Sequence, residues 1–300
     1  MSDAAPAMPR PEVGVIGGSG LYALFDEVGP TDGAGPSGGA GSSGDTGSVT
    51  TLDVATPYGP PSAPVTIGTI GGRRVAFLPR HGARHTFAPA RIPYRANAWA
   101  LASLGVRALV TSSAVGGLRA DLAPGTFVVT DQLVDRTTGR DGTFFDEGPV
   151  AHLAAPDPFD PRLRALAVAA LEAQGVPVRP RGTAVVIPGP RFATRAESRW
   201  YAAAGGDTIN MTLAPETPLA LELGLGVVNI SFVTDSDSAV ERDHADAVSA
   251  DLVLRRLAAA QPVIRRAIDA VVQRIPPGFA AEPGVPRAAS AEVLARPVAR

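Results

Sequence analysis

Residues 13–21 read VGVIGGSGL. The apolar run Val13-Gly14-Val15-Ile16 has the character of a short buried strand. Gly17, Gly18 and Gly20 then let the chain turn sharply. Such a turn can gather amide N–H groups around an anion, with the Ser19 hydroxyl as an extra donor, or it can simply end a strand. Two nucleotide motifs do not match. The dinucleotide fingerprint needs G-x-G-x-x-G opening a helix and an acidic residue about 20 positions on. Here the third glycine is missing, and residues 29–48 form a Gly/Ser-rich stretch in place of a second strand. No Gly-Lys-Ser/Thr follows, so the turn is not a P-loop either.

Composition narrows what the turn can serve. The chain has 300 residues, 45% of them apolar, enough for a substantial core. Lys plus Arg is 27 and Asp plus Glu is 29, so no basic excess points to nucleic acid. There are no cysteines, which excludes disulfides, zinc thiolates and thiol nucleophiles. The start of the chain has no signal-peptide pattern, and no apolar run approaches the roughly 18 residues a membrane span needs, so a soluble cytoplasmic protein is expected. His81 and His85 have H-x-x-x-H spacing but lack the glutamate of the zinc motif, and no metal is expected.

Alternating short apolar runs and helical patterns predict an α/β fold, a single domain with a mixed central β-sheet flanked by helices. Strands or strand pairs are expected at 13–16, 64–70 with 73–78 around Gly71-Gly72, 106–111, 126–133, 182–187, 208–211 and 226–233. Helices are expected at 91–104, 161–174, 194–205, 216–223 and 243–275, the last broken near Pro262. The domain is placed at 12–275. Residues 29–48 read as a flexible insertion, and 1–11 and 276–300 as disordered tails.

Ligands of such sheets sit outside the carboxyl ends of the strands. Five polar sets fall at expected strand ends: Ser19 in the opening turn, Pro79-Arg80-His81-Gly82, Thr111-Ser112-Ser113-Ala114, Asn210-Met211-Thr212 and Thr234-Asp235-Ser236-Asp237. Each has an ordinary reading as a turn, a solvated end or a helix cap. Together, an arginine fork, a histidine and hydroxyl turns suit a tetrahedral oxyanion, inorganic phosphate or sulfate, better than a nucleoside triphosphate. The D-x-D pair could also hold Mg²⁺.

The stretches VGVIGGSGLY (13–22), LPRHGARHTFAP (78–89), YRANAWAL (94–101), TSSAVGGLR (111–119), GPRFATRAES (189–198), INMTLAPE (209–216) and TDSD (234–237) occur in one order across residues 12–273. In this order they resemble the trimeric purine nucleoside phosphorylase family, and within it the methylthioadenosine-cleaving branch. The resemblance implies a pentosyltransferase that splits an N-glycosidic bond with phosphate as co-substrate and no cofactor. It implies a homotrimer with sites between subunits, acting on small molecules in purine salvage. By motif it puts Ser19, Arg80, His81, Ser113 and Thr212 around phosphate, with the Ala114 amide. Met211 goes under the ribose, Phe192 on the purine, Asp235 at N7 and Asp237 at the 6-amino group. Val253 and Leu254 go beside the 5′-methylthio group, and His152 into a neighbour's 5′ pocket. Asp235, His81 and Ser113 are the groups expected to carry the chemistry.

The chemistry fits these residue types. The ribosyl group becomes cation-like as the bond breaks, and a phosphate held beneath C1′ stabilises it and then bonds to it. A carboxyl at 235 can supply a proton at N7, and a carboxylate at 237 accepts from a 6-amino group but opposes a 6-oxo group. Removing Arg80 is expected to weaken phosphate binding far more than it harms folding. Several positions depart from the family pattern. Ser236 and Ser238-Ala239 stand where aromatics are usual, Pro218 where valine is usual, and the loop before the last helix is longer. These lie near the base and 5′ pocket and leave open a 6-oxopurine or methylthioinosine phosphorylase. A nicotinamide- or Mg²⁺-dependent enzyme and a non-catalytic nucleoside-binding protein are the readings from other classes.

Overall fold

The computed structural model describes residues 10–19, 21, 24–25, 49–236 and 250–298. The insertion expected at 29–48, the segment 1–9, Asp237 and residues 238–249 lie outside the described residues. Among those described, eleven strands join in one mixed sheet. Its centre is β1 (Val13–Gly17), held in parallel between β4 (Arg73–Pro79) and β5 (Ala108–Gly117). β3 (Val65–Ile70) turns back along β4 through Gly71 and Gly72, both at positive φ, as the two-glycine hairpin requires. β2 (Thr50–Leu52) closes that edge.

Beyond β5 the sheet divides. β11 (Gly226–Ser236) runs parallel to β5 along its whole length, with a register shift between Val233 and Asp235. On the other edge of β5, β1 pairs only as far as Ile16 with Thr111, and β10 (Thr208–Asn210) pairs only from Gly116 onward. Residues 112–115 therefore have no strand neighbour on that edge. β9 (Thr183–Val186) and β7 (Gln132–Asp135) continue from β10, while β6 (Phe127–Val129) and β8 (Val178–Arg179) continue from β11. The single strand expected over 126–133 is thus two strands with different partners. Gly182 and Asp131, hydrogen-bonded to each other, mark where the two ladders part.

Alternation along the strands buries both faces. Ile16, Leu78, Leu109 and Val227 join one core with Trp99 and Leu101 of α1 (Tyr94–Ser103) and Leu219 of α4 (Leu213–Glu222). Val15, Phe77, Val110 and Val228 join a second core with Leu163 of α2 (Pro161–Glu172) and Ile264 and Ile268 of α5 (Ala250–Arg274). α5 runs unbroken through Pro262, contrary to the expected break. α3 (Arg195–Ala203) opens with a capping box in which Thr194 and Glu197 satisfy each other's backbone N–H groups.

The tail expected at 276–300 is corrected over 276–298. Phe279, Val285 and Val293 are buried, and α6 (Arg287–Leu294) packs on α1. The indole of Trp99 donates to the Val293 carbonyl at 3.1 Å, and Ser290 donates to the Glu222 carbonyl at 2.7 Å. A few well-spaced apolar residues anchor a segment whose Pro/Ala composition reads as loose.

Candidate active site

The opening turn packs against an arginine. A Cβ at position 18 would lie 2.5 Å from the Ser112 carbonyl oxygen and 2.9 Å from Arg80 Nη1, so glycine is needed for that approach. The Gly18 N–H donates to Ser112 Oγ at 3.3 Å. Arg80, directly after β4, is 1% exposed. Its Nε and Nη2 donate to Glu216 of α4 at 2.6 and 2.7 Å, and Nη1 donates to the Ser112 carbonyl at 2.9 Å, where β5 has lost β1. Of five guanidinium N–H bonds, these leave two. Burial alone would lower the Arg80 pKa, but the Glu216 carboxylate outweighs it and holds the pKa above its usual value.

This pairing weighs against the expectation that removing Arg80 harms phosphate binding far more than folding. Glu216 is 4% exposed, and without Arg80 it would be a buried unpaired charge. The TSSA set is also corrected. It lies inside β5 rather than at its end, at the stretch left open between β1 and β10.

Arg80 and the open stretch of β5 line a cavity of about 380 Å³. Ser19, His81, Ser113, Ala114, Thr212, Met211, Phe192, Asp235, Val253 and Leu254 line it too. Residues from seven separate stretches of sequence therefore meet at one place. His85, Asn210 and Thr234, named in the sequence motifs but given no role by the resemblance, line the cavity as well. His152 does not line this cavity and is exposed on its own chain. Phe192 and Leu254 are 40% and 46% exposed at the cavity wall, leaving an apolar edge open to solvent. His81 and His85 stack ring on ring at 4.5 Å. Among the described residues no group of three or more metal-ligating side chains is placed to hold an ion, and no helix is long and apolar enough to cross a membrane.

Buried side chains orient these groups. Asn229 of β11 donates through Nδ2 to Ser113 Oγ at 3.1 Å and to Thr111 Oγ1 at 2.9 Å, so the Ser113 hydroxyl proton remains for another acceptor. The other side of Asn229 accepts from Thr130 and Ser231 at 3.0 and 2.6 Å. Asn210 Oδ1 accepts from the N–H groups of Thr212 and Leu213 at 2.6 and 2.7 Å, bracing the turn that leads into α4. Thr234 donates to Asp235 Oδ1 at 2.6 Å, and Arg256 of α5 donates to the Thr234 carbonyl at 2.6 Å.

His81 is 6% exposed, and its Nδ1 lies 2.9 Å from the Phe87 carbonyl. A carbonyl can only accept, so Nδ1 carries the proton and the neutral ring keeps a lone pair on Nε2. Burial first, and then the nearby Arg80 charge, lowers the His81 pKa to about 4. An unfolded histidine titrates near 6.5. Between these values the unfolded chain binds a proton that the folded chain does not, so stability is full above the unfolded value and is lost as pH falls through the window. The slope from this group is at most about 1.4 kcal/mol per pH unit. Urea unfolding from pH 7 to 4.5 in phosphate-free buffer should show the decline, and His81→Asn should flatten it. Equal slopes in the two proteins would contradict the assignment.

Residues 40–273 match the model of the phosphorylase superfamily. An S-methyl-5'-thioadenosine phosphorylase of Mycolicibacterium smegmatis is 51% identical over 76% of this chain and 78% of its own. A purine nucleoside phosphorylase of Streptomyces coelicolor is 42% identical over 89% of this chain and 90% of its own. The methylthioadenosine phosphorylase of Schistosoma mansoni in complex with adenine superposes with a TM-score of 0.77 at 34% identity, covering 88% of this chain and 91% of that one. The family resemblance carried by the sequence motifs is borne out: the chain belongs to the phosphorylase superfamily.

Proposed function

We propose that the chain catalyses phosphorolysis of S-methyl-5′-thioadenosine to adenine and 5-methylthioribose 1-phosphate. The observation that carries this is the meeting of two kinds of group in one cavity. A partly committed guanidinium, a neutral histidine and the hydroxyls of Ser19, Ser113 and Thr212 stand in the same cavity as Phe192, Val253, Leu254 and an acid, Asp235. That combination suits an oxyanion beside a weakly polar nucleoside.

In this reading hydrogen phosphate binds the first group together with the Ala114 amide. A phosphate oxygen attacks C1′ while the C1′–N9 bond breaks, and the bonding pair passes into the purine. Protonated Asp235 gives its proton to N7, and the P–OH proton passes to Nε2 of neutral His81. The histidine later returns a proton to Asp235 through solvent. Hydrogen phosphate and nucleoside thus become a pentose 1-phosphate dianion and neutral adenine, with inversion at C1′. Met211 N–H binds a sugar hydroxyl, Phe192 packs on the base, and Val253 and Leu254 meet the methylthio group. Asp237 accepts from the 6-amino group.

The second reading, a 6-oxopurine nucleoside phosphorylase, is favoured by the Streptomyces relative. A panel of methylthioadenosine, adenosine, methylthioinosine and inosine, each with and without phosphate, separates the two. The proposal predicts phosphate-dependent base release, fastest from methylthioadenosine. Faster release from inosine supports the second reading, and release independent of phosphate contradicts both.

His152 enters a neighbour's 5′ pocket in this reading, so the active species is a trimer. Light scattering should give a mass three times the 30.6 kDa of the chain. A fully active species of single-chain mass would contradict it.

A further inference from the structure

Three backbone carbonyls stand in or beside segments that line the cavity. These are Pro188, which leads into the turn carrying Phe192, then Met211, which lines the cavity itself, and then Ala214 at the kinked start of α4. One side chain donates to all three carbonyls. Arg140, in the loop after β7, donates through Nη2 to Pro188 at 2.7 Å and through Nη1 to Met211 at 2.9 Å and Ala214 at 2.5 Å. Nη1 also lies 3.4 Å from the Tyr94 hydroxyl, and the guanidinium sits 5.5 Å from the centre of that ring. None of these partners is an acid. A planar fork of charged donors spent on neutral carbonyls serves geometry.

The Met211–Thr212 peptide is gripped at both ends. Arg140 holds its carbonyl, and Asn210 Oδ1 holds its N–H at 2.6 Å. The Arg140 grip on the carbonyl sets where the Met211 side chain faces, while Asn210 independently holds the Thr212 end that faces phosphate. Arg140 Nε is buried without a partner, so the side chain keeps this pose through its two terminal nitrogens.

We propose that Arg140 is a positioning residue that fixes the ribose-facing and purine-facing walls relative to each other. The inference rests on the nucleoside phosphorylase reading above. It assigns Arg140 no contact with the substrate: it acts through Met211 and through the Pro188 turn. These carbonyls are held from two nitrogens of one planar fork, whereas a lysine has a single rotatable ammonium, so Arg140→Lys should fail nearly as badly as Arg140→Met.

The test is steady-state kinetics of both variants with methylthioadenosine and with its 2′-deoxy and 3′-deoxy forms. A misplaced wall should lower kcat/KM for methylthioadenosine by about 100-fold, chiefly through the nucleoside KM. The phosphate KM should stay within about threefold of wild type. The loss should shrink on the deoxy substrate that lacks the hydroxyl bound by Met211 N–H. Wild-type turnover of methylthioadenosine tests the underlying reading, and the variant-to-wild-type ratio tests this inference. Folded variants with near-wild-type kinetics would overturn it, as would equal losses on all three nucleosides or in both substrates' KM values. Two variants that both fail to fold would mark Arg140 as structural and also overturn it.

Discussion

Asp235→Ala is expected to lower kcat by about 10²- to 10⁴-fold on every natural purine nucleoside, the usual worth of a positioned general acid. The carboxyl is 5% exposed at the cavity wall and is held by Thr234, whose own carbonyl is tied down by Arg256. Without a proton at N7 the purine must leave as an anion. An N7-methylated nucleoside already carries that positive charge and leaves as a neutral base. The variant should therefore lose less than about tenfold on the methylated substrate. Asp235→Asn should keep part of the activity and tolerate 6-oxopurines better, because an amide can both donate and accept. The measurement is kcat for methylthioadenosine and an N7-methylated nucleoside across both variants. The same loss on both substrates would contradict proton donation.

The second large effect falls on stability. Glu216→Gln keeps the shape of the Arg80 partner but removes its charge, leaving a guanidinium buried with no counter-ion. Breaking a buried pair from one side costs about 3–5 kcal/mol. Phosphate would supply the missing negative charge, since two Arg80 N–H bonds remain uncommitted. The variant should therefore melt well below wild type in phosphate-free buffer and recover more than wild type on adding phosphate. Linkage sets the scale: ligand at 100 times its Kd adds about 2.7 kcal/mol. Differential scanning calorimetry with and without phosphate reads both effects. An unchanged melting temperature would mean that Arg80 and Glu216 do not balance each other as a buried pair.

Much of the fold was legible because its signals are local. VGVI followed by glycines reads as β1 and its turn, and the Gly71-Gly72 pair reads as a hairpin. The motif residues were legible as a set because each follows or ends an apolar run. What was not legible depends on tertiary meetings. Glu216 reads as an ordinary acid in a first helical turn, and only the approach of α4 to the end of β4 makes it the partner of Arg80. Asn229 reads as one polar residue in a buried strand. Its role appears once β5, β6 and β11 bring Thr111, Ser113, Thr130 and Ser231 around it. Arg140 sits in a loop with no periodic pattern, and its three carbonyl partners lie 48 to 74 residues away. The C-terminal segment has few apolar residues, and their spacing matters only once the two cores and Trp99 stand ready to receive them.

In the proposed reaction phosphate, not water, attacks C1′. Phosphorus NMR of a reaction with methylthioadenosine and limiting phosphate distinguishes the two nucleophiles. Inorganic phosphate should be consumed one for one with adenine released, giving a single sugar phosphate ester of the α configuration at C1′. Adenine released while the phosphate signal stays constant would rule out phosphorolysis, and an ester of the β configuration would rule out a single in-line displacement.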